Sequence, residues 1–375
     1  MRVAIDCEPI TCNMGGIRVY TMNLVRAFAR IEMDTQFRLY YSFSRRYLHT
    51  PLTIPRENFS NTYNPLPAAV MDWATAHTPL SHSFFLGSVD VVHSINFRYF
   101  KLTRGEKLVV TIHDVCFLLF PQFFGEEMAS KLKRSVEQLL QDAEYVITIS
   151  ENTRRDFLEH FVWPEDRISA ILPGVDIRMG VGLTLSRSGR RNIDAPYILS
   201  VGTLEPRKNY SRLFRAFSEL KREHKEPLKL VVVGGRGWLY GETLKTWEDS
   251  SAREDIVILG RVDFERLQEL YRGAEFFVYP SVYEGFGLPI LEAQQMGLAV
   301  LAGDNSSIPE VCGDSALLVN TSSEREIAWG MKRLLADLDF RRMLVERGRV
   351  NLGRFSWDDT ARRVLEVYQL VAGEG

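Results

Sequence analysis

Two Rossmann-like α/β domains in succession are what this chain predicts, on three observations. Its 375 residues exceed what one ordinary hydrophobic core organises. Short β-branched apolar runs alternate with helix-period segments, the pattern of parallel sheets covered on both faces. Near the middle, Gly174–Pro196 holds four glycines and the basic residues Arg187, Arg190 and Arg191 without apolar periodicity, which reads as a linker.

In the first half, strands are predicted near Val3–Asp6, Phe37–Ser42, Val89–Ser94, Leu108–His113, Tyr145–Ser150 and Ile168–Leu172. In the second they fall near Tyr197–Val201, Leu228–Val233, Ile256–Leu259, Phe276–Tyr279, Ala299–Ala302 and Ala316–Val319. Helical periods separate most of them, among them Ile17–Arg30, Glu126–Asp142, Tyr210–His224, Phe264–Gly273 and Glu326–Leu335. The expected division is a first domain at 1–175, a linker at 176–196 and a second domain at 197–356. A last helix, 357–371, is expected to join the first domain.

Composition removes several function classes. A formal net charge of -2 supplies no field for nucleic acid. Cys7, Cys12, Cys116 and Cys312 lack metal-ligand spacing and are expected to be free thiols. Asp337-Leu338-Asp339 has the spacing of a metal clamp but falls in a helical, surface-type stretch, so no metal is expected. No apolar run reaches the roughly 18 residues that span a bilayer, and the N-terminus runs directly into a strand, so a cytoplasmic protein is expected.

The densest chemistry lies at Tyr283–Gly297, where Glu284 and Glu292 stand eight residues apart around Gly285-Phe286-Gly287-Leu288-Pro289. The glycines permit close backbone approach, Pro289 suits a first helical turn, and Gly297 suits its stop. Free amides at such a helix start attract phosphate. Glu284 in the loop is placed for sugar hydroxyls. Glu292, expected two turns into the helix and roughly 12 Å along it, is placed for a ribose. After the first strand of the second half, Gly202 allows close approach, Arg207 offers a fork and Lys208 a point charge for a diphosphate. Together these describe a nucleotide-sugar site.

Two weaker features stand in the first half. Gly15-Gly16 precedes a helix, but no Gly-x-Gly-x-x-Gly follows the first strand, which counts against a nicotinamide-dependent dehydrogenase. His113 closes a strand beside Asp114, which is placed to orient or charge it.

These residues together resemble the retaining glycosyltransferases of family four, whose GT-B architecture sets two Rossmann-like domains with parallel sheets across a cleft. The likeness is densest from Gly202 to Asn320, including Gly234-Gly235, Gly260-Arg261-Val262, the Glu-x7-Glu segment and Ser306-Ser307-Ile308-Pro309-Glu310-Val311. It implies that Gly16 approaches the diphosphate or acceptor, that Arg207 and Lys208 hold the phosphates with Gly202 and Gly234 nearby, and that Val262 lies beside the base. It places Glu284, Gly285 and the amides of Phe286, Gly287 and Leu288 at the donor sugar, Glu292 at the ribose, and His113 near the reacting carbon. It implies no metal or other cofactor beyond the nucleotide-sugar donor, and no covalent nucleophile.

The segment's wording is most similar to bacterial mannosyltransferases that use GDP-mannose to build surface polysaccharide on glycan or lipid-linked acceptors. A UDP-sugar transferase (glucose or N-acetylglucosamine), a sugar-nucleotide epimerase and a non-catalytic nucleotide-sugar binder remain open alternatives. Aromatics crowded between Phe84 and Phe124 suggest an acceptor surface in the first domain, and Lys131, Lys133 and Arg134 a peripheral membrane contact. Arg207→Ala and Lys208→Ala are expected to lower transfer far more than stability.

Overall fold

The computed structural model describes residues 1–12, 15–43, 50–175 and 193–373. The basic stretch Arg187, Arg190 and Arg191 of the expected linker lies outside the described residues. The chain forms two compact units, each built on one parallel sheet.

The first unit comprises Met1–Leu119, Glu126–Gly174 and Phe355–Gly375. Its strands are β1 Arg2–Asp6, β2 Gln36–Phe43, β3 Phe59–Pro67, β4 Val91–Ser94, β5 Lys107–Ile112, β6 Ala143–Thr148 and β7 Ile168–Ala170. They pair in the order β3-β2-β1-β4-β5-β6-β7, every pairing parallel. Strands β1, β4, β5 and β6 bury nearly every side chain, so each reads as a continuous apolar run.

Strand β3 was not foreseen, and its chemistry explains why. It pairs with β2 at the sheet edge, its residues are half-exposed or exposed around one buried Asn64, and it carries Pro65 and Pro67. Prolines are tolerated at an edge, but they erase the apolar signal of a strand. Ser150, expected at the end of a strand, instead caps the helix Glu151–His160, its Oγ accepting from the Thr153 amide at 3.0 Å.

The last helix, Trp357–Ala372, belongs to this first unit. Its buried Tyr368 hydroxyl lies 2.6 Å from His93 Nδ1, and His93 Nε2 lies 2.7 Å from Thr111 Oγ1. Burial lowers the His93 pKa to about 3, so a neutral imidazole bridges helix and sheet.

The second unit comprises Phe120–Gly125 and Val175–Arg354. Its strands are β8 Tyr197–Val201, β9 Lys229–Val233, β10 Ile256–Gly260, β11 Phe276–Tyr279, β12 Val300–Gly303 and β13 Leu317–Val319. Their order is β10-β9-β8-β11-β12-β13, again all parallel. Leu213, Phe214, Phe217 and Leu220 form the apolar stripe of the helix Tyr210–Glu223 and pack into the core with Leu230, Val232 and Phe276.

Phe120–Gly125, expected inside a first domain of 1–175, packs with the second unit instead. The Phe120 ring lies 5.8 Å from that of Tyr283, Phe124 stacks on Trp238 at 5.5 Å, and Trp238 Nε1 donates to the Phe123 carbonyl. Three phenylalanines within five residues carry neither a strand nor a helix period, so the pattern held no cue to where they bury.

In both sheets the strand order reverses beside the first strand, between β1 and β4 and between β8 and β11. Loops leaving the carboxyl ends of such a pair open a crevice where α/β sheets bind ligands. Cys7, Cys12, Cys116 and Cys312 are free thiols. Asp337 accepts from the Phe340 amide at 2.9 Å as the cap of the helix Leu338–Asn351, and Asp339 Oδ1 accepts from Arg342 Nη1 at 3.1 Å. Among the described residues no helix is long and apolar enough to cross a membrane.

Candidate active site

Strands β8 and β11 are neighbours, and the loops leaving their carboxyl ends carry Gly202–Asn209 and Pro280–Gly287. The Val282 amide donates to the Arg207 carbonyl at 2.8 Å and ties the two loops together. A third loop, after β12, braces them. Ser306 Oγ accepts from the Glu284 amide at 3.0 Å, and Ser307 shares its hydroxyl proton between the carbonyls of Glu284 (2.8 Å) and Phe286 (2.9 Å). Gly287 turns the chain at φ 114°, a conformation that favours glycine. Leu288 and Pro289 then open the helix Leu288–Gln295, which no side chain caps, and Gly297 follows it at φ 77°. The positive end of that helix dipole is therefore directed at the Glu284 loop.

Within this frame the charged side chains form a chain of alternating sign. Lys208 Nζ donates to Glu284 Oε1 at 2.6 Å and to the Tyr279 hydroxyl at 2.8 Å. Arg207 Nη1 donates to Glu284 Oε2 at 2.5 Å and to the Tyr283 carbonyl at 3.1 Å. The other edge of its guanidinium meets Glu205 Oε1, at 3.0 Å from Nε and 2.8 Å from Nη2. Glu205, Lys208 and Glu284 are 2%, 8% and 5% exposed, so these contacts form in a low-dielectric setting where each is strong.

Burial alone would raise the Glu284 carboxyl, but the charges of Arg207 and Lys208 outweigh it and hold the pKa at about 2. Burial first, and the charge of Arg207 second, lower the Lys208 ammonium, against the pull of Glu284 and Glu205. Because the folded pKa of Glu284 lies below its ordinary 4.5, the unfolded chain binds that proton more readily. The stabilisation is complete above about pH 4.5 and is lost as pH falls towards 2. Glu284→Gln is expected to be less stable than wild type by about 3 kcal/mol at neutral pH. That gap should close below pH 4.5, and urea unfolding of both proteins across that range checks it; a gap independent of pH contradicts the assignment.

Two expectations are corrected here. Arg207 does not offer its fork to a ligand, because Glu205 occupies the Nε–Nη2 edge. Glu292 lies one turn into its helix, about 6 Å from its start rather than 12 Å, because residues 284–287 are loop and add no helical rise. Its Oε2 accepts from the buried Tyr271 hydroxyl at 3.0 Å.

The remaining predicted residues divide by unit. Gly202, Gly285, Phe286, Gly287 and Leu288 lie in the two loops and the helix start just described. A Cβ on Gly234 would stand 1.8 Å from the Gly202 carbonyl oxygen, so close packing of loops accounts for that glycine. Val262 is half-buried in the loop between β10 and the helix Phe264–Gly273. Gly16 and His113 belong to the first unit. Gly16 is exposed as the first residue of the helix Gly16–Ile31.

His113 Nε2 lies 2.7 Å from the Ile95 carbonyl, which only accepts, so the ring proton sits on Nε2. Burial lowers its pKa to about 4, making it a neutral group near pH 7. Asp114 does not charge it: Asp114 Oδ1 accepts from the Cys116 amide at 3.0 Å at the start of the next helix.

Sequence reasoning missed Glu205, Tyr279 and Tyr271, and gave no role to Ser306 and Ser307. An acidic residue two places before Arg207 was the available signal for Glu205. Tyr271 carried none, since it reads as part of an ordinary amphipathic helix.

The family pattern described as Glycosyltransferase Family 4 matches residues 14–178, and that described as Glycosyl transferases group 1 matches residues 184–351. O-antigen chain mannosyltransferase B of Escherichia coli is 27% identical over 390 residues, covering 99% of this chain and 100% of that protein. Sucrose-phosphate synthase from Thermosynechococcus elongatus shares the fold with a TM-score of 0.75 at 18% identity, over 100% of this chain and 99% of that one. This is a glycosyltransferase of the GT-B fold, related to both families. HepE of Anabaena, solved with UDP-glucose, matches the transferase with a TM-score of 0.69 at 16% identity, over 97% of this chain and 98% of that one. In chemical terms, a point cation and an uncapped helix start can hold a diphosphate while a fixed carboxylate beside them accepts hydroxyl hydrogens.

Proposed function

We propose that the transferase moves a hexose from a nucleoside-diphosphate sugar to a glycan or lipid-linked saccharide, retaining the donor's anomeric configuration. The observation that supports this is the meeting of Lys208 and Arg207 on Glu284, in the loop that runs into the uncapped start of Leu288–Gln295. Lys208 and the amides of Phe286, Gly287 and Leu288 hold the diphosphate, with Gly202 leaving room for the Lys208 stem. Arg207 locks Glu284, whose two oxygens offer about four acceptor positions and so keep capacity for sugar hydroxyls beyond two cations. Glu292, steadied by Tyr271, takes the ribose, and Val262 lies at the base; for His113 and Gly16 of the first unit a role in the reaction is proposed as well. Catalysis is then positioning plus stabilisation of the departing diphosphate.

Mannose from GDP-mannose is supported by the whole-chain relation to O-antigen chain mannosyltransferase B. A UDP-sugar, glucose or N-acetylglucosamine, is the better supported donor at the level of the fold, since UDP-glucose is what HepE holds. The setting we propose is bacterial surface polysaccharide synthesis in the cytoplasm, at the inner face of the membrane. Lys131, Lys133 and Arg134 are exposed on one helix there to meet anionic headgroups.

A panel of GDP- and UDP-hexoses, with and without a lipid-linked saccharide, tests the proposal through release of nucleoside diphosphate. One donor should turn over faster with acceptor present and give an α-linked product by NMR. Release from none of them refutes the reading, and the ratio of GDP-mannose to UDP-glucose turnover decides the donor.

A further inference from the structure

Glu205 has no ligand-binding role in the function just proposed, yet it sits at the end of the charge chain. It is 2% exposed, begins the turn Pro206–Lys208, and gives one carboxylate oxygen to two nitrogens of Arg207. Lys208 is acted on electrostatically by Arg207, Glu284 and Glu205. Two carboxylates therefore face two cations, and the cluster as a whole is neutral.

That neutrality matters because the two nucleotides the site meets differ in charge. In transfer, the acceptor oxygen bonds the anomeric carbon while the bond from that carbon to the diphosphate oxygen breaks, its electron pair staying on that oxygen. The acceptor's proton passes to the diphosphate or to solvent. The freed nucleoside diphosphate then carries up to one more negative charge than the sugar-linked donor. A cluster with surplus positive charge would hold this product more tightly than the substrate, slowing release.

We propose that Glu205 is a positioning residue that sets this balance. It grips Arg207 edge-on so that Nη1 faces Glu284, and it cancels the charge that would otherwise retain the product. This inference rests on the nucleotide-sugar reading of the same site.

Calorimetric binding of GDP and UDP to wild type, Glu205→Gln and Glu205→Asp, at low and high salt, tests it. Glu205→Gln should bind the preferred nucleoside diphosphate about tenfold more tightly at low salt, with the difference shrinking at high salt. Glu205→Asp, which keeps the charge, should stay within about twofold. In turnover, Glu205→Gln should lose kcat through slower release of the nucleoside diphosphate, with KM falling in step and kcat/KM little changed.

Equal or weaker binding by Glu205→Gln overturns the inference and leaves the proposed function standing. Wild type provides a second arm that does not depend on the variant folding. A neutral cluster predicts shallow salt dependence of nucleotide binding, and a steep decline overturns the inference. If wild type binds neither GDP nor UDP, the proposed function falls, and this inference with it.

Discussion

Replacing Lys208 by methionine is expected to lower sugar transfer by about 100-fold or more, with a stability loss of about 2–4 kcal/mol. Lys208 is 8% exposed, and its stem lies over Gly202, where a Cβ would stand 3.3 Å from Lys208 Cδ and Cε. Methionine keeps much of that packing and removes only the ammonium. The loss in rate follows from removing a fixed positive charge from the place where the diphosphate leaves. The loss in stability follows from Glu284, which keeps Arg207 at 2.5 Å but loses its 2.6 Å contact with Lys208 while remaining buried.

Transfer is expected to fall far more than stability, yet a stability loss is expected beside it, since both cations neutralise one buried carboxylate. Turnover and urea midpoint should be measured on the same preparation. Turnover within threefold of wild type would take Lys208 out of the site, whatever happens to the midpoint.

The meeting of Glu284 with Arg207 and Lys208 was legible in the sequence for a definite reason. Both segments follow largely apolar, buried strands, β8 and β11, and loops after such strands gather at one sheet end. The contacts that complete the cluster were not legible, because they depend on how side chains reach sideways. Glu205 meets Arg207 across a short turn, and Tyr279 supplies only the hydroxyl at the tip of a buried strand residue. Tyr271 reaches Glu292 from a helix twenty-one residues earlier.

The Glu-x7-Glu spacing misled in one respect: it counts loop residues as though they were helix, which doubled the expected reach of Glu292. In the fold, strands buried on both faces announced themselves, whereas β3 at an edge, polar and with prolines, did not. The resemblance also marked Gly234 without giving the reason for it, which only the position of Gly202 reveals.

Gly234 and Gly16 should therefore respond in opposite ways to the same substitution. An alanine Cβ at Gly234 would lie 1.8 Å from the Gly202 carbonyl oxygen and 2.5 Å from its carbon, both backbone atoms. Neither loop can yield freely. The Gly202 amide donates to Val233 and the Gly234 amide to Gly260, each at 2.9 Å, so relief of the clash must break a bond that extends the sheet. Gly234→Ala should cost at least about 2–3 kcal/mol and, by displacing the loop that carries Lys208, reduce transfer at least as far as Lys208→Met does. At Gly16 an added Cβ meets no heavy atom of the described residues within 4 Å, and the residue begins a helix where alanine is favoured over glycine. Gly16→Ala should leave the thermal midpoint unchanged or slightly raised, so any loss of transfer there reports on a ligand and not on folding. A Gly234→Ala protein as stable as wild type would contradict the packing account, and full activity in Gly16→Ala would remove Gly16 from the site.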